Sequence, residues 1–224
     1  MTHRRGRAST GAVAVAIAAL AGLSSLVACS SDDGATPEAS TTTAVVPLDD
    51  LALNEIQVIG THNSFHEAAP PDEQAQLAVL DPEAVAERDY THAPLPTQLG
   101  GQRVRQVELD VFLDREGGRF ATPAFRDPAE GPVPGMEAPG IKVLHEQDVD
   151  YHATCPTLID CLSQIEAWSD ADPGHVPIAV FIQFKDGPLI FDVPDQAGVE
   201  LWTSEAMATL DEEIRSVFDP ADLL

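Results

Sequence analysis

Residues 103–113 read RVRQVELDVFL, and this stretch decides the fold. Val107, Leu109 and Val111 alternate with Glu108 and Asp110. A period of two marks a strand with one apolar and one polar face. The apolar face must pack, and the polar face carries two neighbouring carboxylates. Three other segments, 55–61, 141–144 and 177–185, also read as strands, with helical or loop-like sequence between them. Strands spaced in this way are expected to lie parallel in an α/β sheet of about four strands.

The connecting segments support that reading. Leu158, Cys161, Leu162, Ile165 and Trp168 fall on one face of an amphipathic helix. Pro173-Gly174 then breaks the chain before the fourth strand. After that strand, 204–218 repeats the helical pattern with Met207, Leu210, Ile214, Val217 and Phe218, and a short helix is expected at 82–88. Residues 119–140 carry prolines at 123, 128, 132, 134 and 139 and are expected to form an irregular excursion. Long loops of that kind tend to be functional.

The 224 residues contain 12 Lys+Arg and 37 Asp+Glu, a formal charge of -25. Phosphate neutralisation needs clustered basic groups, so nucleic acid is excluded as a partner of the surface. With 44% hydrophobic residues the chain can bury a core.

Residues 1–28 read as an export signal: Arg4, Arg5 and Arg7 precede an Ala/Val/Leu-rich run. The run is at the short end of a membrane span, and the residues around the paired arginines match twin-arginine export poorly. It ends Leu26-Val27-Ala28-Cys29, which resembles the bacterial lipobox, so Cys29 is the expected lipidation site; the alternative is an ordinary secretory signal. Residues 29–44 are small and polar, a tether without apolar periodicity, and the folded domain is expected to span 45–224. Removing residues 1–28 takes away three of 12 basic residues and no acid, leaving 9 against 37, or -28. An anionic lipid surface would repel such a body, so work at a membrane calls for an anchor or an apolar rim.

In an exported chain Cys155 and Cys161 are expected to form a disulfide. Within one helix their Cα atoms would be about 9 Å apart, beyond disulfide reach. Cys155 therefore belongs in the turn before the helix that carries Cys161.

The chemistry gathers where strands end. The first strand runs into Gly60-Thr61-His62-Asn63-Ser64 and the third into Leu144-His145-Glu146. Sites form at the carboxyl ends of parallel strands. If buried, two carboxylates this close need a metal or a basic side chain between them, the alternative being a half-exposed strand with a solvated polar face; for a metal, an oxygen-only set of Asn, Glu and Asp suits calcium or magnesium better than zinc. His62 and His145 are titratable near neutral pH and suit acid–base work. Gln183 and Lys185 share one face of the fourth strand and are expected to point into the same mouth.

Three stretches in order, IQVIGTHNSFH (56–66), YTHAPLPTQLGGQRVRQVELDVFLD (90–114) and KVLHEQDVDYHATCPTLIDCLSQIEAWSDADPGHVPIAVFIQFKD (142–186), resemble the calcium-dependent phosphoinositide phospholipase C family of bacteria and fungi. The resemblance implies a TIM-like (β/α) barrel. It implies cleavage of the glycerol–phosphoinositol bond of a phospholipid, with the inositol 2-hydroxyl as internal nucleophile. His62 and His145 become the acid–base pair, Asn63, Glu108 and Asp110 ligands of Ca2+, and Lys185 a phosphate partner.

Two departures accompany the match. Gln183 stands where an acidic fourth ligand is expected; its amide oxygen can bind calcium but adds no charge. The chain also holds about the N-terminal half of a barrel, roughly four strands. The reading therefore expects either a truncated product or an incomplete part of a longer sequence, or else a scaffold that associates with another chain or a second copy, with the activity of the chain as given in question. Two alternatives accompany it: a non-catalytic cell-surface lipoprotein or binding module retaining the motif, and a glycerophosphodiester phosphodiesterase. The latter expects Arg-Gly after the first histidine, where this chain has Asn63.

Overall fold

The computed structural model describes residues 51–223. The signal, the tether and Cys29 lie outside the described residues.

The spine is β2 (Val104–Phe112). Val107, Leu109 and Val111 are fully buried on its packed face. They meet Phe65, Leu95 and Leu99 from the segment before β2, and helices α4 (Leu158–Ala171) and α5 (Ser204–Val217). The period of two thus separates the core from the site.

Strand β4 (Ala179–Phe184) pairs parallel with β2 over six residues, from Gln106↔Ala179 to Val111↔Phe184. On the opposite edge, β1 (Ile59–Gly60) pairs parallel with the start of β2, and β3 (Lys142–Val143) takes over at Val111 and Phe112. Among the described residues nothing pairs with the outer edge of β4, and Phe181 is 57% exposed on the face it shares with Glu108. The architecture among the described residues is an open four-stranded α/β sheet.

Three details depart from the sequence reading. The first strand is two residues long, not seven, because Arg103 turns with φ of 57° and leaves residues before Ile59 without a partner. Strand β3 runs antiparallel to β2. A parallel return needs a crossover, usually a helix. Residues 113–141 hold a single 3-10 turn, Pro128–Glu130, and no α-helix, so the chain returns as a wide hairpin. That excursion packs around Phe112, Phe120, Met136, Leu144 and Tyr151. In α5 the buried positions are Ala206, Leu210 and Glu213, while Met207 is exposed. The Glu213 carboxylate accepts the Ile141 N–H at 2.8 Å, so a polar contact fixes the helix rotation.

Helix starts follow ordinary capping chemistry. Thr157 accepts from the Asp160 N–H at the start of α4, and Thr203 from the Ala206 N–H at the start of α5. Between β1 and β2 lie α1 (Pro71–Leu80), α2 (Pro82–Arg88) and α3 (Leu95–Gly100), each with proline in its first turn. Cys155, in the turn before α4, is bonded to Cys161 on the helix, with Cα atoms 5.1 Å apart.

Candidate active site

The loop after β1 continues the ladder with β2: the Thr61 N–H donates to Gln106 O and the Ser64 N–H to Glu108 O. Between them the chain turns at Asn63, whose φ of 47° is a left-handed conformation that Asn adopts more readily than most residues. Buried Gln98 of α3 ties the turn down by donating to Ser64 O and Ala93 O and accepting from Thr61 Oγ1. The His92 ring lies 2.8 Å from the His62 carbonyl oxygen and braces the backbone there. The His62 side chain is 73% exposed, with Nε2 3.9 Å from Glu108 Oε1.

Asn63 itself is buried. Its Nδ2 donates to the Tyr90 hydroxyl at 3.2 Å, and its Oδ1 has no hydrogen-bond partner. A buried, unpartnered carbonyl oxygen is costly unless a cation or donor meets it.

Glu108 and Asp110 are turned into the protein: the Glu108 side chain is 13% exposed and Asp110 fully buried. Lys185 Nζ sits 2.9 Å from Asp110 Oδ2. One terminal atom of the Gln183 carboxamide lies 3.2 Å from Glu108 Oε1 and 3.0 Å from Asp110 Oδ1. With nitrogen in that position the amide donates to both carboxylates. With oxygen there, three acceptors converge and only a cation satisfies them. Burial pushes the Asp110 carboxyl above its ordinary range, against the opposing pull of Lys185. Oxygen donors of the kind carried by Asn63, Glu108, Asp110 and Gln183 are chemically suited to a hard cation such as Ca2+.

At the end of β3, His145 Nδ1 lies 2.7 Å from Asp150 Oδ2. Asp150 is 1% exposed, and its Oδ1 lies 2.9 Å from Nε2 of the fully buried His66. Burial disfavours the Asp150 charge, yet the hydrogen bonds from His145 and His66 outweigh it and hold the carboxyl below its usual range. Arg88 Nε stands 3.5 Å from Asp150 Oδ2, and Arg88 also donates to Glu146 at 3.1 Å.

The structure brings the sequence-predicted residues into two contact groups, which approach where the Leu144 N–H, beside His145, donates to Asp110 O at 3.3 Å. His62 touches Glu108; Gln183 bridges Glu108 and Asp110; Lys185 pairs with Asp110. Asn63 reaches Tyr90, whose ring stacks on His66 at 4.3 Å, and His66 shares Asp150 with His145. Sequence reading missed Tyr90, Arg88 and Asp150 and assigned no part to His66. The spacing His145…Asp150, a histidine and an acid five residues apart across a tight reversal, is the one local signal for them. His152 instead pairs with Glu73 at 2.8 Å.

Comparisons with known proteins bear on the family of the chain. A family model described as phosphoinositide phospholipase C, Ca2+-dependent, matches residues 51–224. No curated protein matches the chain. A solved structure of the calcium-dependent phosphoinositol-specific phospholipase C from the Gram-negative bacterium Pseudomonas sp., in its apo form, is 21% identical and covers 70% of this chain and 42% of that one, with a TM-score of 0.35. A myoinositol complex of the Pseudomonas protein gives 21% identity, the same coverage and a TM-score of 0.34. The chain spans less than half the length of these solved proteins. By the match over residues 51–224, the chain belongs to the Ca2+-dependent phosphoinositide phospholipase C family.

Proposed function

We propose that the chain is the site-bearing part of a calcium-dependent phosphodiesterase that cleaves a phosphoinositide between glycerol and phosphate. One observation carries the reading: exposed His62 lies beside Glu108, the Leu144 N–H next to partly exposed His145 donates to Asp110 O, and the Glu108–Asp110 carboxylate pair is joined to a lysine and a carboxamide. His62 takes the proton of the inositol 2-hydroxyl, with Glu108 beside its ring, as that oxygen attacks phosphorus. His145 gives a proton to the departing diacylglycerol oxygen as the P–O bond breaks, which leaves a cyclic inositol phosphate. Asn63, Glu108, Asp110 and Gln183 would hold the calcium ion, which supplies neutralising charge for the phosphoryl oxygens. Lys185, paired with Asp110, would be the phosphate partner.

Export and anchoring belong to the same proposal. The Arg4–Arg7 start, the apolar run and Ala28-Cys29 support a lipoprotein held at the outer face of a bacterial membrane, where an acidic body needs an anchor to meet lipid. The open sheet supports completion of the scaffold by another chain or a second copy.

The test uses the purified full chain with phosphatidylinositol vesicles, with excess calcium or with chelator. Calcium-dependent release of cyclic inositol phosphate is expected, and it should be absent in His62→Gln and His145→Gln. A protein folded by circular dichroism that releases none would leave a non-catalytic surface module as the reading. Fatty-acid labelling lost in Cys29→Ser checks the anchor.

A further inference from the structure

His145 is one of the two histidines assigned to proton transfer, and its ring is not free to choose which nitrogen faces the substrate. Its Nδ1 is 2.7 Å from Asp150 Oδ2. An ionised carboxylate only accepts, so Nδ1 must carry the proton in that bond. Nε2 is then the one ring nitrogen left to exchange a proton with substrate.

Asp150 is itself held from several directions. His66 Nε2 lies 2.9 Å from its other oxygen, and Arg88 Nε lies 3.5 Å from the oxygen shared with His145. His66 is fully buried, stacked on Tyr90 at 4.3 Å, with Nδ1 3.0 Å from the Tyr90 carbonyl oxygen. Arg88 is fixed in turn by Glu146 and by the Ala84 carbonyl. A carboxylate engaged at both oxygens by groups that cannot move has one orientation. The Glu146 N–H and Asp150 O also pair at 2.9 Å, and the reverse bond at 3.1 Å closes a tight reversal that sets the distance between His145 and Asp150.

We infer that Asp150 is a positioning residue that fixes His145 as the Nδ1–H tautomer with Nε2 toward the substrate, and that His66 acts through Asp150 by locking its carboxylate. The inference rests on the phosphodiesterase reading for its purpose but not for its test. A buried His–Asp–His cluster built only for stability would gain nothing from a fixed tautomer on the partly exposed ring. In the proposed reaction the ring enters protonated on both nitrogens, the Nε2 proton passes to the diacylglycerol oxygen as the P–O bond breaks, and the neutral Nδ1–H tautomer that remains stays bonded to Asp150.

The experiment is long-range 1H–15N spectroscopy of the full chain labelled at histidine, with His145 identified by its loss in His145→Gln. In the unsubstituted protein, neutral His145 is expected mainly as the Nδ1–H tautomer. In Asp150→Ala it should pass mainly to Nε2–H, as in a free imidazole. His66→Leu should show a mixture, whereas His66→Gln, whose amide N–H can still reach Asp150, should stay close to the parent. The calcium-dependent kcat of Asp150→Ala should fall at least about 100-fold with KM within about threefold. An Nε2–H tautomer in the unsubstituted protein, or one unchanged in Asp150→Ala, overturns the proposal. The unsubstituted protein alone decides it where Asp150→Ala does not fold. A tautomer that switches as expected in a chain that makes no product sustains the positioning role and removes the phosphodiesterase reading instead.

Discussion

Replacing Gln183 with Glu tests the cation site through the one donor that departs from an acidic set. The Gln183 amide terminus lies 3.2 Å from Glu108 Oε1 and 3.0 Å from Asp110 Oδ1. In the ion-free protein a carboxylate there would lose both donated hydrogen bonds and face two like charges, lowering stability by about 1–3 kcal/mol. With calcium bound, the same oxygen gains a full charge about 3 Å from a divalent ion, worth roughly 3 kcal/mol even at the dielectric of water. Part of that gain goes to deprotonating the introduced carboxyl among its neighbours, so binding is expected to tighten roughly 10- to 100-fold, or about 1.4–2.8 kcal/mol. Calorimetric titration of the full chain with calcium reads the affinity, and thermal melts in chelator read the cost. Both signs matter: Gln183→Glu should melt lower than the parent without calcium and recover the difference as calcium saturates. An affinity within twofold of the parent refutes the assignment of Gln183 to the cation.

Asp150, held below its ordinary range, contributes stability present above its unfolded value near ~3.9 and lost as pH falls through its lower folded value. The urea midpoint of the parent should therefore fall more steeply below pH ~4 than that of Asp150→Asn. Asp110 has the opposite sign: burial raises its folded value, so its contribution is complete below the unfolded value and lost as pH rises through the folded one. Without calcium, Asp110→Asn should stabilise the protein at neutral pH relative to the parent and bring little at pH ~3. Replacing Cys155 and Cys161 together by Ser should cost about 2 kcal/mol in urea unfolding, the chain-entropy value for so small a loop. Leu162→Ala, which empties a buried position between α4 and the sheet, should cost about 2–5 kcal/mol by the same measurement.

Local patterns were legible in the sequence and tertiary ones were not. The alternation around Glu108 and Asp110 is local, so period two placed both carboxylates on one face without knowledge of the fold. The helix over α4 was legible for the same reason, its apolar residues recurring at helical spacing above a Thr cap. The direction of β3 was not, because it is set by residues 113–141, whose proline-rich sequence marks a loop without saying where it returns. The absence of a helical pattern there is the sequence signal that fits an antiparallel return. Helices α1 and α3 were missed because each is short and opens with proline, and their buried residues include Glu73 and Gln98, polar positions that break an apolar pattern. Asp150 was missed because its meaning is tertiary: only folding brings His66, 84 residues away, against it.

That division has a functional consequence. Every group assigned to the cation sits on β2, on β4, or on the turn after β1, and all three are tied by ladder bonds to β2. The carboxylate pair and Lys185 are fixed by these contacts alone, and His145 is fixed by a reversal within six residues. Nothing in this set draws on a surface opposite Phe181, the exposed aromatic on the same sheet face. Recognition of an inositol ring needs walls on several sides, because its hydroxyls must each find a partner when water leaves. On the proposed reading, calcium affinity and head-group turnover are therefore expected to be separable. Calcium should bind the chain by itself with an affinity sensitive to Asn63, Glu108, Asp110 and Gln183. A partner that covers the Phe181 face should raise turnover and leave that affinity within about twofold, because it adds no charge to the oxygen set. A covering partner that changed calcium affinity tenfold while leaving turnover unchanged would show that the cation site, and not the head-group wall, is what the open face leaves incomplete.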